Sequence, residues 1–288
     1  MEGRMSLAIR SFPGPLGAEI TGIDLNEEID ERAFWRIRGG FLDHGVVVFR
    51  DQAALTPARQ IDFSRRFGPL QVHVLHQFLL PGHPEILIVS NVVEDGQPIG
   101  LGDAGRYWHS DLSYKPVPSL GSLLHARELP AEGGDTLFAN MYRAHATLPA
   151  ALARAIEGRQ AIHSYLKRYD TLREQNGVRP VLSQSQLDQV QEVVHPVVRV
   201  HPDTRRKALF VSEGFTTRIV GLPEDESDEI LGQLFAHSTA PDNLYRHQWR
   251  PHDLVFWDNR CTVHLAVGCP PDQRRTLYRT TVQGDVPH

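Results

Sequence analysis

The stretch WHSD at residues 108–111 decides how this chain has to fold. In an extended segment residues i and i+2 share a side, so His109 and Asp111 present an imidazole and a carboxylate together while Ser110 points away. Two such groups make an incomplete metal site, and the third ligand has to come from a distant strand laid alongside. Within WDNRCTVH at 257–264, His264 follows the strand-like run 253–257 by a short interval and is the candidate. Two imidazoles and one carboxylate on one face of Fe(II) leave positions open for a co-substrate and O2, which points to oxygen-activating chemistry.

Composition narrows the alternatives. The 288 residues contain 15 histidines against two cysteines, Cys261 and Cys269, so a disulfide framework and a thiolate metal cluster are both excluded. Several histidines stand beside proline, as in His83-Pro84 and His201-Pro202, where a solvated or capping imidazole is the simpler reading. A net charge of -5, from 30 basic and 35 acidic residues, leaves no positive field for a phosphate backbone, and nucleic acid is not an expected partner. Residues 1–12 lack the apolar stretch of a secretory signal, and no segment approaches the roughly 20 apolar residues of a membrane span. A cytoplasmic protein with no membrane partner is expected.

Outward from the metal motif, period-two alternation over 16–25 predicts a strand, the spacing over 30–43 a helix, and Val46-Val47-Val48-Phe49 a buried strand. Thr56-Pro57 reads as an N-cap with proline at the first helical position, with Gly68 closing that helix. Ile86 to Val89 returns to a strand, and the Gly-, Asp- and Pro-rich segment 90–106 is a loop. Further strands are predicted at 121–127, 136–139, 197–201, 207–212, 244–249, 253–257 and 275–282, and helices near 142–157, 183–193 and 223–237. Many short strands with a few helices outside them predict a mainly β fold of jelly-roll or sandwich type with flanking helices, and scattered Pro and Gly give no sign of a linker, so 1–288 is expected to be a single domain.

A second set of residues has its own logic. Gly133-Gly134-Asp135-Thr136 is a tight turn that delivers a hydroxyl into a strand, and Arg275 stands eleven residues after His264 at the head of the last strand. A hydroxyl and a guanidinium can hold the far carboxylate of a dicarboxylate, because arginine binds carboxylate through two parallel hydrogen bonds. Taken singly, a surface ion pair explains Arg275 and a hairpin explains the glycines.

WHSD at 108–111, GGDT at 133–136, HPVVRVHP at 195–202, LFVSEGFTTRIVGL at 209–222, WDNRCTVH at 257–264 and RRTLYRTT at 274–281 together resemble the taurine / 2,4-dichlorophenoxyacetate dioxygenase family, over about residues 16–286. The resemblance implies a double-stranded β-helix enzyme that uses Fe(II), O2 and 2-oxoglutarate to hydroxylate a small anionic substrate, sulfonate or carboxylate, with succinate and CO2 as co-products and fragmentation of the product where the hydroxylated carbon bears a heteroatom. It assigns His109, Asp111 and His264 to iron, Thr136 and Arg275 to the C5 carboxylate of 2-oxoglutarate, and Arg279 and His73 to the substrate anion. It also implies a homodimer or tetramer.

The chain departs from taurine enzymes at positions that bear on the substrate. His76 stands where they have a tyrosine, Gly105 where they have an asparagine, and Arg168 and Tyr169 where a serine and a phenylalanine are expected; Tyr169 is the residue carried forward as substrate-binding. The segment 164–194, rich in Arg, Gln and Ser, is the expected lid, since lids need low local stability. Two other readings stay open: a cupin-type metal dioxygenase that needs no co-substrate, and a non-enzymatic jelly-roll binding module.

Overall fold

The strand Val46–Phe49 is apolar at every position because both of its faces are covered. Val46 and Val48 enter one core cluster with Leu124, Val255, Trp257 and Leu277, while Val47 and Phe49 enter another with Phe41, Leu123, Leu254 and Phe256. Each such side chain stabilises the fold by about 1.5–3 kcal/mol on burial, so the two clusters tie the sheet to the layers on either side of it. The computed structural model describes residues 7–166, 169–170, 173–174 and 181–288.

An eight-stranded sheet runs in the order Ala8–Ser11, Ala18–Thr21, Val46–Phe49, Leu254–Asp258, Ser119–Glu128, Thr276–Gln283, His83–Ser90, Leu79–Leu80. Its pairings are antiparallel except for Ala18–Thr21 beside Val46–Phe49. Two three-stranded sheets accompany it, one ordered Leu244–His247, Thr136–Asn140, Thr262–Ala266 and the other Val193–Pro196, Gln160–His163, Thr216–Ile219. The long strands Ser119–Glu128 and Thr276–Gln283 of the large sheet and Thr136–Asn140 of the small one share the apolar cluster around Trp257 and Phe138, as in a jelly roll.

The helices lie outside this sandwich. Glu31–His44 is capped by Asp30, whose carboxylate accepts from Ala33 N at 2.7 Å, and ends at Gly45 in the left-handed region. Its Phe41 stacks on Phe256 at 3.9 Å between ring centroids, fixing the helix against the large sheet. Pro57–Arg65 is capped by Thr56 as its sequence predicts. Glu224–Ser238, acidic in its first turn, buries Ile230, Leu231 and Leu234 against the smaller sheets. Among the described residues no helix is long and apolar enough to cross a membrane.

The helix predicted over 142–157 is two helices, Met141–Ala146 and Ala150–Ile156. Pro149 breaks it, since proline supplies no N–H and pushes Leu148 out of the helical region. The helix predicted over 183–193 shortens to Gln184–Leu187, and its last residue, Val193, opens the strand Val193–Pro196.

Candidate metal centre

Two main-chain hydrogen bonds join His109 to His264, N to O at 3.0 Å one way and 2.8 Å the other. Such an antiparallel pair points both side chains to one face, and the two imidazole centroids lie 4.0 Å apart. Asp111 reaches in beside them, Oδ1 at 3.5 Å from His109 Nε2 and Oδ2 at 3.9 Å from His264 Nε2. All three are buried. The sequence placed His264 after a strand; it lies inside one, Thr262–Ala266. His109 sits on a single bridge, and Asp111 is already in a turn whose next residue, Leu112, has φ 58. A non-glycine residue held there costs on the order of 1–3 kcal/mol, strain of the kind found beside functional sites.

The protonation states suit a divalent cation. Burial works to raise the Asp111 carboxyl, but the Arg279 guanidinium, with the His109 and His264 imidazoles beside it, holds it well below the usual carboxylate range. Burial and the neighbouring His109 push His264 well below the usual imidazole value, so it is neutral with a lone pair to offer. His109 Nδ1 lies 2.9 Å from Tyr107 O, so the ring donates there and turns Nε2 toward Asp111. A deprotonated carboxylate and two imidazoles whose Nε2 atoms face it fit Fe(II).

Thr136 and Arg275 meet around Trp249. The indole N–H donates to Thr136 Oγ1 at 3.1 Å, which leaves the hydroxyl proton available, and the Arg275 guanidinium lies 6.0 Å from the indole centroid. Arg275 Nη2 donates to Gly134 O at 3.0 Å and Nε is buried without a partner. No carboxylate pairs with Arg275 among the described residues, and neighbouring Asp135 is taken by Arg246 at 2.6 Å. Burial draws the guanidinium down to about 10, so it is still charged at neutral pH. A buried cation without a counter-charge suits an anionic ligand. At Gly134, with φ 76, a side chain would be strained and would press on the guanidinium: a Cβ there would stand 3.1 Å from Arg275 Nε.

Arg279 and His73 line one small cavity with Gln71, Leu87, Leu112 and Thr281, and Arg279 reaches from it to Asp111, Nη1 to Oδ1 at 3.1 Å. Tyr169 is buried but not beside the imidazoles. It packs on Tyr165 at 5.1 Å between ring centroids, Tyr165 on Tyr114 at 4.6 Å and Tyr114 on Phe215 at 4.9 Å; Phe215 is the ring against His109, at 5.8 Å. Gly105 brings its backbone so close that a Cβ would stand 3.1 Å from His109 Cε1, and His76 is exposed. Arg168 and part of the expected lid lie outside the described residues. Sequence reasoning missed Phe215, Trp249, Ser122 and Asn259. Phe215 and Asn259 lie inside blocks that carry the resemblance but without a role of their own there, and Trp249 and Ser122 matter only through what they touch.

A second cluster, His201 with Asp258 and Cys261, looks like a ligand set but is already spent. Arg260 grips both oxygens of Asp258 at 2.9 and 2.7 Å. His201 Nδ1 accepts from the main-chain N–H of Asp203 and Thr204, so Nε2 carries the proton and donates to Asp258 at 3.1 Å. Burial raises the Cys261 thiol well above its usual value, so it stays neutral.

The family described as taurine catabolism dioxygenase TauD, TfdA family matches residues 8–281. Pentalenolactone F synthase of Streptomyces arenae is 34% identical over 98% of this chain and 97% of its own. The alpha-ketoglutarate-dependent 2,4-dichlorophenoxyacetate dioxygenase of Cupriavidus pinatubonensis is 32% identical over 98% of this chain and 99% of its own. Among solved structures, AAD-2 in complex with Mn(II) and N-oxalylglycine superposes with a TM-score of 0.80 at 29% identity, covering 98% of this chain and 99% of that one.

Proposed function

The chain belongs to the taurine catabolism dioxygenase TauD, TfdA family, and we propose that His109, Asp111 and His264 hold its Fe(II) while Thr136 and Arg275 hold the distal carboxylate of 2-oxoglutarate. The observation that carries this reading is the convergence of three buried donor groups from two separate stretches of sequence, together with a buried guanidinium that no carboxylate pairs with among the described residues. A metal dioxygenase without a co-substrate would have no use for that guanidinium, and a binding module would have no use for the donor set.

Bound Fe(II) supplies the activation of O2 that couples decarboxylation of 2-oxoglutarate to hydroxylation of a substrate C–H bond, with succinate and CO2 as co-products. The chain does the rest. Asp111 and His264 accept the cation at neutral pH without first losing protons. Tyr107 O fixes the His109 tautomer, and Trp257, Phe138 and Phe215 pack around the imidazoles and exclude water. Arg275, forked and held by Gly134, orients the co-substrate, with the Thr136 hydroxyl as second donor.

Arg279 and His73 in one cavity, which Glu85 also lines, support a small anionic substrate of the sulfonate, sulfate-ester or carboxylate kind, with Arg279 bridging to Asp111. Tyr169 supports the aromatic wall behind the metal centre, through Tyr165, Tyr114 and Phe215. Residues 1–288 act as one domain, in a dimer or tetramer measurable by sedimentation. Sulfonates, aryloxyalkanoates, sulfate esters and amino acids, assayed for substrate-dependent succinate formation with iron, ascorbate and 2-oxoglutarate, test the pocket. One anionic class should couple; equal background with every class would overturn the assignment.

A further inference from the structure

Asn259 spends its whole carboxamide behind the metal centre. Oδ1 accepts from Asp111 N–H at 3.1 Å and from Trp257 Nε1 at 3.0 Å, and Nδ2 donates to Ser119 Oγ at 3.0 Å and Ser122 Oγ at 3.2 Å. The amide has one sensible orientation, since turning it over would set its NH2 against two N–H donors. That fixes the next link. Ser122 accepts from the amide, so its single proton goes to Asp111 Oδ2, at 2.6 Å. Asn259 therefore grips Asp111 twice, at the main chain directly and at the carboxylate through Ser122.

The grip matters because Asp111 lies in a turn, outside the strand ladders, and is followed by the left-handed Leu112. Its position has to be imposed from elsewhere. Asn259 belongs to the turn between Leu254–Asp258 and Thr262–Ala266, the strand that carries His264. That turn is itself clamped, by Arg260 on Asp258 and Asp203 and by Ser110 Oγ donating to Asn259 O at 2.7 Å. One rigid turn thus leads into the strand of one ligand and fixes another.

We propose that Asn259, acting through Ser122, is a positioning residue that holds the Asp111 carboxylate in register with His264 and so sets the affinity of the site for a divalent cation. The inference rests on the ligand assignment made above. Ser119 is the internal control: it is as buried as Ser122 and bonded to the same amide, but it does not touch the Asp111 carboxylate.

The test is Mn(II) binding to purified metal-free protein, read by the EPR signal of free Mn(II), together with the metal-free melting temperature, for wild type, Ser122→Ala, Ser119→Ala, Asn259→Ala and His264→Ala. Groups that orient a ligand cost about 10–100-fold in metal affinity when removed. Ser122→Ala should therefore bind Mn(II) about 10–100-fold more weakly, Ser119→Ala should bind like wild type, and Asn259→Ala, if it folds, should weaken binding at least as much as Ser122→Ala. A purely structural role predicts instead that Ser122→Ala and Ser119→Ala lower the melting temperature alike with unchanged affinity, which would overturn the proposal. If His264→Ala binds Mn(II) like wild type, the ligand assignment itself fails and takes the inference with it; if His264→Ala loses binding while Ser122→Ala does not, only the positioning role is lost.

Discussion

Nη1 of Arg279 lies 3.1 Å from Oδ1 of Asp111, so the side chain proposed to receive the substrate's anion also rests on a proposed metal ligand. In the proposed assignment, substrate and cation would be in electrostatic contact through one guanidinium. A cation this close to Asp111 opposes a divalent ion, and an arriving substrate anion offsets it.

Arg279→Gln should separate these two effects. Removing the positive charge should tighten Mn(II) binding by a factor on the order of ten, while substrate-dependent succinate formation is lost. Mn(II) titration and the coupled assay on the same preparation check it. Weaker metal binding in the variant would mean that Arg279 supports the carboxylate more than it opposes the metal.

Arg275→Lys keeps a charge but loses the fork that matches a carboxylate. Charge-assisted hydrogen bonds contribute about 1.5–3 kcal/mol, so the apparent KM for 2-oxoglutarate should rise on the order of tenfold to a hundredfold, with a smaller change in kcat. Gly134→Ala should act in the same direction, because its Cβ would meet Arg275 Nε at 3.1 Å from a backbone at φ 76. Steady-state kinetics with 2-oxoglutarate as the varied substrate decide. An unchanged KM in both would remove Arg275 from the co-substrate site.

These consequences follow from residues whose roles the sequence carried unequally. His109 and Asp111 were legible because two ligand types at i and i+2 are a local signal, and Arg275 with Thr136 became legible once the blocks were read in order. The strand that holds His264 was not, since TVHLA at 262–266 is separated from the preceding strand by only three residues and pairs with Thr136–Asn140 far away in sequence. Gln160–His163 and Thr216–Ile219 were missed for the same reason: short strands declare themselves through partners, not through their own pattern. The break at Pro149 was legible in principle and was overridden by helical spacing on either side of it. Asn259 and Ser122 carry no periodicity at all. Only the folded chain brings their amide and hydroxyl to Asp111.

Buried histidines should make the fold acid-sensitive before its carboxylates titrate. Burial lowers His125 to about 4 and His163 to about 3, from 6.5 in an unfolded chain. Above pH 6.5 both states hold these rings neutral and nothing is lost. Between about pH 6.5 and 4 the unfolded chain binds the protons and the folded one does not, so stability should fall as pH falls, by about 1.4 kcal/mol per pH unit for each ring. Urea unfolding of metal-free protein across this range measures the slope, and His125→Gln should make it shallower. A stability independent of pH over that window would contradict the neutral, buried state of both rings.

The most direct test of the central claim is release of labelled CO2 from 2-oxoglutarate carrying the label at C1, with Fe(II), ascorbate and O2, in wild type and in Asp111→Ala. The account predicts iron-dependent release, increased by a coupling anionic substrate, in the wild type, and release at the level of chelator-treated enzyme in the variant. Equal release from both proteins, or release that survives exhaustive chelation, would contradict it.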